Sequence, residues 1–156
     1  MNCKERMQAY LKENGVPFQV KRHSTAYTMP EVAAALHESG KHVAKVVMVA
    51  TGEQMAMCLV PSPYHLNLGQ VQELLGSGEV RLAEEHEFSA LFVDCAPGAM
   101  PPFGNLYDLP VYVDRALTEQ EEIVFQVGTH QHCLKVAYED FARLAQPTVG
   151  EFAYLG

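Results

Sequence analysis

Asp94-Cys95-Ala96-Pro97-Gly98-Ala99-Met100-Pro101-Pro102-Phe103-Gly104 is the stretch that most restricts how this chain can fold. Two glycines and three prolines bracket small or apolar residues, so the segment is neither helix interior nor central strand. With little charge and no Ser/Gly tract it is a shaped loop, whose prolines limit how it can pair with itself. Two readings stay open at this level: a rigid turn between sheet elements, or a loop that presents backbone N–H and C=O groups to something outside the chain.

Around that loop, 156 residues with 48% hydrophobic content suffice for one full core and are too few for two comfortable domains, so residues 1–156 are read as a single domain. Nineteen acidic against eleven basic residues give a net charge of −8. That balance argues against a general nucleic-acid binder, and against DNA as a partner, because such proteins neutralise many phosphates. An RNA substrate would have to be gripped locally. Cys3, Cys58, Cys95 and Cys133 form no C-x-x-C pair, which excludes the usual zinc-ribbon and thioredoxin spacings and predicts reduced thiols in the cytoplasm. No apolar run approaches a membrane span, and no signal peptide is visible.

Cys3, Met7, Tyr10 and Leu11 share a helical face, predicting a helix over roughly residues 2 to 13 that Gly15 stops. Phe18–His23 alternates as a half-buried strand does. Thr28-Met29-Pro30-Glu31 reads as a capping box opening a helix through Val32, Ala33 and Leu36 that ends near Gly40. Val43–Ala50 and Met55–Val60 are buried strands joined by a Thr51-Gly52-Glu53-Gln54 hairpin. Asn67 caps a helix closed by Gly76, a short strand covers Glu79–Ala83, and Glu84–Glu87 begins another helix. Val111–Val113 is a strand ended by Asp114, which caps the next turn; Glu122–Val127 and Cys133–Ala137 pair as strands, and a helix from Tyr138 stops at Pro147. Without strict β-α alternation, and with hairpin-length links, the fold class is α+β: a mixed, largely antiparallel sheet with flanking helices.

Lys45 points the same way as Val43 and Val47 in an apolar strand. A lysine there snorkels to the sheet edge, pairs with a structural carboxylate, or opens onto a cleft. No G-x-S-x-G elbow and no H-E-x-x-H pattern supports serine or zinc hydrolysis. His130 and His132 are the best metal pair by spacing but lack a third ligand, so no metal and no cofactor is assigned. Cys95 adjoins the loop, yet nothing cationic nearby in sequence would lower its pKa as a nucleophile needs. A strand lysine and a loop of backbone donors remain, an apparatus for metal-independent ester hydrolysis through positioning and oxyanion stabilisation.

Gly98-Ala99-Met100-Pro101-Pro102-Phe103-Gly104, with Lys45 upstream and Pro110-Val111-Tyr112-Val113-Asp114 downstream, resembles the YbaK/prolyl-tRNA-synthetase-associated deacylase family, in the same order from about Gly15 to Ala145. The G-x-x-x-P spacing of Gly98 and Pro102 followed by Phe103-Gly104 is its most specific part. The resemblance implies a strongly curved mixed sheet with helices packed around it, and a freestanding trans-editing deacylase that hydrolyses the ester of a mischarged aminoacyl-tRNA, with tRNA for proline first by analogy. In this family the free hydroxyl of the terminal ribose helps to activate water. Carried over, Lys45 holds the substrate's phosphate or aminoacyl end and Gly98 positions the ester, the two being the catalytic pair. Tyr27, Ala99, Met100, Pro101, Pro102, Phe103 and Gly104 contact substrate, and Gly128, Thr129 and His130 line the floor. Val127 replaces a small residue frequent in relatives and bears on pocket size. The partners implied are the acceptor end of aminoacyl-tRNA and a synthetase. The competing class is a non-catalytic module that binds an RNA end or a synthetase through the same loop.

Overall fold

In the computed structural model, which describes residues 1–52 and 54–155, helix α1 (Cys3–Glu13) begins at a reciprocal cap. The Glu5 N–H donates to Asn2 Oδ1 at 2.8 Å and the Asn2 N–H to Glu5 Oε1 at 3.1 Å. Gly15, at φ 68°, stops the helix as expected, with its N–H on the Lys12 carbonyl and the Val16 N–H on that of Leu11. Cys3, Met7 and Leu11 form its buried face.

The main sheet contains β2 (Ala44–Thr51), β3 (Gln54–Pro61), β5 (Arg81–Leu82), β6 (Val111–Asp114) and β9 (Thr148–Gly150), in the order β5-β2-β3-β6-β9. A second sheet runs β1 (Gln19–Arg22), β8 (His132–Ala137), β7 (Glu122–Gln126), and a third pairs β4 (Tyr64–Leu66) with β10 (Ala153–Leu155). Among the described residues only the β3–β6 and β6–β9 ladders are parallel. A lone parallel bridge, Val43 to Val124, joins the two larger sheets. The mixed, largely antiparallel α+β architecture is therefore present, divided into three hydrogen-bonded groups. Glu53, part of the expected hairpin loop, lies outside the described residues, but Thr51 pairs with Gln54 across it.

Helix α2 (Met29–Leu36) starts at Thr28, whose Oγ1 accepts from the Glu31 N–H at 3.3 Å and donates to Glu31 Oε1 at 2.7 Å. Helices α3 (Leu68–Leu75), α4 (Glu85–Phe88), α5 (Arg115–Thr118) and α6 (Tyr138–Ala145) complete the set, and Asn67 and Gly76 cap α3 as expected. Asp114 does more than cap α5: Oδ2 takes the Ala116 N–H, while Oδ1 takes those of Phe152 and Ala153 and so fixes the last strand. Among the described residues no helix is long and apolar enough to cross a membrane.

One expectation fails in β1. Val20 is 47% exposed, because β1 is an edge strand that pairs only with β8 and covers no core with that face. The largest core cluster, with Phe103, Phe125, Phe141, Leu59 and Met57, lies between α1, α6 and the two larger sheets. A smaller one packs Val32 and Ala33 of α2 on Val43, Val124 and Cys133. Between α2 and that seam the chain leaves a cleft.

Candidate active site

The cleft is a cavity of about 380 Å³ whose wall includes Lys45 on β2, Gln126 on β7, Gly98 and Met100 on the loop, and Tyr27 with Thr28, Met29 and Pro30 at the start of α2. Ala44, Val46, Ser62 and His65 complete the lining. The topology explains this convergence. β2 and β7 meet at the Val43–Val124 bridge, so Lys45 and Gln126, each two residues beyond it, face one space.

Lys45 is half-buried, and its ammonium donates to the Tyr64 carbonyl of β4. Among the described residues no carboxylate lies within ion-pair distance of it, so the carboxylate-paired reading does not describe its setting. Burial lowers its pKa from the ordinary 10.5. A partly desolvated cation without a counter-charge at a cavity wall favours an anion there.

The loop is built from its own backbone. The Ala99 N–H closes a turn onto the Ala96 carbonyl at 3.0 Å, with Pro97 and Gly98 as its central residues and Gly98 at φ 81°, the values of a type II turn. Gly128 clamps this turn from behind: it accepts from the Ala96 N–H at 2.8 Å and donates to the Ala99 carbonyl at 2.7 Å. The Ala99 N–H is thus spent inside the loop. Among the described residues the Gly98 and Met100 N–H groups have no intramolecular acceptor, and both residues line the cavity. Nearby, the His130 ring donates from Nε2 to the Pro97 carbonyl at 2.9 Å, while Nδ1 is buried without a hydrogen-bond partner among the described residues, and Tyr27 packs against that ring with centroids 4.8 Å apart.

Several residues expected at the substrate sit elsewhere. Ala99 is wholly buried beneath the turn, and Pro101 and Pro102 lead the chain inward. Phe103 is a core ring packed edge-on to Tyr10, Phe125 and Phe141, because the apolar side chain gains more from the core than from a polar cleft. Gly104 is required by packing: a Cβ there would stand 2.6 Å from Val111 Cγ2. Gly128 supports the loop and does not form the cavity floor, since at φ 90° it lies so close to α1 that a Cβ would meet Cys3 Cβ at 2.5 Å. Thr129 is engaged with His132, Oγ1 to Nδ1 at 2.8 Å. His130 and His132 thus hydrogen-bond to separate partners. Val127 packs in the main core, so it does not set the size of the cavity.

Gln126 is the residue sequence reasoning missed. It is 4% exposed, and its carboxamide nitrogen is buried without a partner. The signal was present in Ile123-Val124-Phe125-Gln126-Val127, an apolar strand interrupted by one polar residue, just as Lys45 interrupts β2. The nearby sequence offers no cation beside Cys95, but the fold brings Arg6 of α1 to the adjacent Asp94 at 3.2 Å.

The comparisons with known proteins agree with this geometry. A proline–tRNA ligase of Thiobacillus denitrificans is 33% identical over 117 residues, 74% of this chain. The chain spans about a fifth of that relative's length, 20%. Among solved structures, a hypothetical protein superposes with a TM-score of 0.85 at 21% identity, covering 95% of this chain and 99% of its own. A candidate trans-editing enzyme for prolyl tRNA synthetase superposes at 0.81 with 24% identity, covering 96% of each chain. These two likenesses establish the fold. Residues 23–144 match the family described as the aminoacyl-tRNA editing domain, a span that holds Lys45, the loop and Gln126 alike. The chain belongs to the aminoacyl-tRNA editing domain family.

Proposed function

We propose that this chain is a freestanding, single-domain deacylase that hydrolyses the ester of a mischarged tRNA in trans, without a metal, and that tRNA for proline is its first candidate substrate. Family membership and the similarity to a proline–tRNA ligase support the reaction class and the tRNA. The observation that carries the reading is the Lys45 ammonium, which among the described residues has no carboxylate partner and which shares the cavity wall with Gly98.

An aminoacyl ester is already activated, so the protein has to position it and stabilise the oxyanion that forms when water attacks. Lys45 suits the anionic phosphate at the acceptor end, and leaving Tyr64 O for that phosphate exchanges a neutral acceptor for a charged one. The Gly98 and Met100 N–H groups suit the ester oxygen; loss of one such donor typically costs about a hundred- to a thousandfold in rate. With no Cβ at Gly98, the acyl group approaches that N–H closely. Gln126 then faces the aminoacyl side chain and offers it a hydrogen bond.

The test is a discharge panel across small aminoacyl-tRNAs on tRNA for proline, with protein far below substrate concentration and with and without a chelator. The expected result is repeated turnover on a subset of the panel and identical rates with chelator present. Stoichiometric protection of the ester would instead mark a binding module. Activity lost with a released metal would overturn the metal-independent mechanism.

A further inference from the structure

Behind the loop, on the side away from the cavity, two thiols stand unusually close. Cys3 of α1 and Cys95 bring their Sγ atoms to 3.3 Å without a bond between them. Asp94 and Tyr107 surround Cys95, with Asp94 Oδ1 at 3.4 Å and the Tyr107 hydroxyl at 3.6 Å, and Arg6 balances the Asp94 carboxylate. We propose that Cys3 and Cys95 are a peroxide-sensitive dithiol whose reversible disulfide draws the start of the substrate loop onto α1.

A metal is the competing use of this group, because Cys3, Asp94 and Cys95 together could supply three ligand atoms. The setting of Asp94 favours the disulfide. Asp94 is already committed to Arg6 at 3.2 Å and to the Tyr107 hydroxyl at 3.2 Å, and the guanidinium would repel a second cation.

The chemistry runs through Cys95, the less buried sulfur. The hydrogen bond between the two thiols raises the Cys3 pKa, with burial adding to the rise. The same hydrogen bond lowers that of Cys95, helped by Tyr107 and opposed by burial and the Asp94 charge. Cys95 Sγ attacks a peroxide oxygen: the S–O bond forms, the O–O bond breaks, and the departing hydroxide takes up the proton given up by the Cys95 thiol and leaves as water. Cys3 Sγ then attacks the Cys95 sulfur, the S–S bond forms, the S–O bond breaks, and the hydroxyl leaves as a second water with the Cys3 proton. Two thiols are oxidised to one disulfide and one peroxide is reduced to two waters.

The link to the cavity is short. An S–S bond is about 2.05 Å, so the sulfurs must close by more than 1 Å. Cys95 precedes Ala96, whose N–H is held by Gly128, and Gly128 is itself in contact with Cys3. Movement of Cys95 toward α1 therefore shifts the turn that carries Gly98. Misplacement by about 1 Å costs on the order of a hundredfold in rate.

The experiment treats the whole chain with hydrogen peroxide and follows intact mass, cysteine-peptide mapping, the NMR signals of the His130 ring, and discharge. The chemical arm stands independently of the deacylase reading; the discharge arm rests on it. The expected result is a loss of two hydrogens, a Cys3–Cys95 peptide, a shifted His130 signal, and discharge lowered about a hundredfold and restored by a dithiol. Cys58 and Cys133, whose thiols burial pushes up to about 12, stay unmodified. C95S abolishes the cross-link, as does C3S, and either folded variant suffices. Peroxide that leaves the pair unlinked, or zinc held by these residues in the reduced protein, would overturn the dithiol assignment. A cross-linked protein with the His130 signals unmoved would overturn its coupling to the loop, whatever the discharge assay shows.

Discussion

At the scale of single residues the account turns on polar groups in places that favour apolar ones. Lys45 and Gln126 interrupt strands that are otherwise core, and each leaves part of its hydrogen-bonding capacity facing one cavity. A buried, unmade hydrogen bond costs about 1–3 kcal/mol, so a ligand that completes it regains that amount. Replacing Gln126 by Leu at similar volume should therefore keep or slightly raise thermal stability. It should also shift discharge away from aminoacyl groups with a side-chain hydroxyl and toward aliphatic ones, by about tenfold in relative kcat/KM. Relative rates that do not change between the two classes would place Gln126 outside the aminoacyl subsite. Lys45 was legible in the sequence because a charge in an apolar strand is conspicuous. Gln126 was less so, because one neutral amide at a strand end has many harmless explanations.

At the scale of elements, the long helices and central strands were legible because apolar period and caps agreed: Thr28 with Glu31, Asn67 with Gly76, and the Cys3–Met7–Leu11 face. Strands β4, β9 and β10 were not. Each is three residues long, too short to show a period, and each exists through pairing with a distant partner or through the Asp114 carboxylate. The loop was legible as a rigid turn but not in its direction, since nothing local says that Phe103 turns into the core while Gly98 faces out.

Helix α2, which supplies one rim of the cavity, is held at its far end by Glu38. Its carboxylate meets His42 at 2.6 Å, Lys135 of β8 at 3.2 Å and Lys21 of β1 at 3.7 Å. Burial alone would raise the Glu38 pKa; the hydrogen bonds from His42 and Lys135 outweigh it and hold the value below the ordinary 4.5. A carboxylate depressed in the folded state stabilises above its unfolded pKa, and that stability disappears as pH falls through the lower, folded value. Glu38→Gln should cost about 1–3 kcal/mol near neutral pH by chemical denaturation. The difference from the parent should shrink below about pH 4.5 and vanish once both forms are neutral. A gap independent of pH would mean that packing, not charge, fixes this end of α2.

At the scale of the whole molecule, the chain carries a net charge of −8 while its proposed substrate is a polyanion. The match is workable only if contact is confined to a small site with its own positive charge, as the Lys45 ammonium provides. The similar segment of the Thiobacillus ligase lies within a far longer protein, whereas the present chain has 156 residues. The proposed action in trans is assigned to the cavity that Lys45 and Gly98 line. The most direct measurement is discharge of mischarged tRNA for proline by substoichiometric protein, comparing the parent with Lys45→Ala shown to be folded. The account predicts many turnovers for the parent and a loss of about a hundredfold or more for the variant; equal rates for the two, or stoichiometric protection of the ester by the parent, would contradict it.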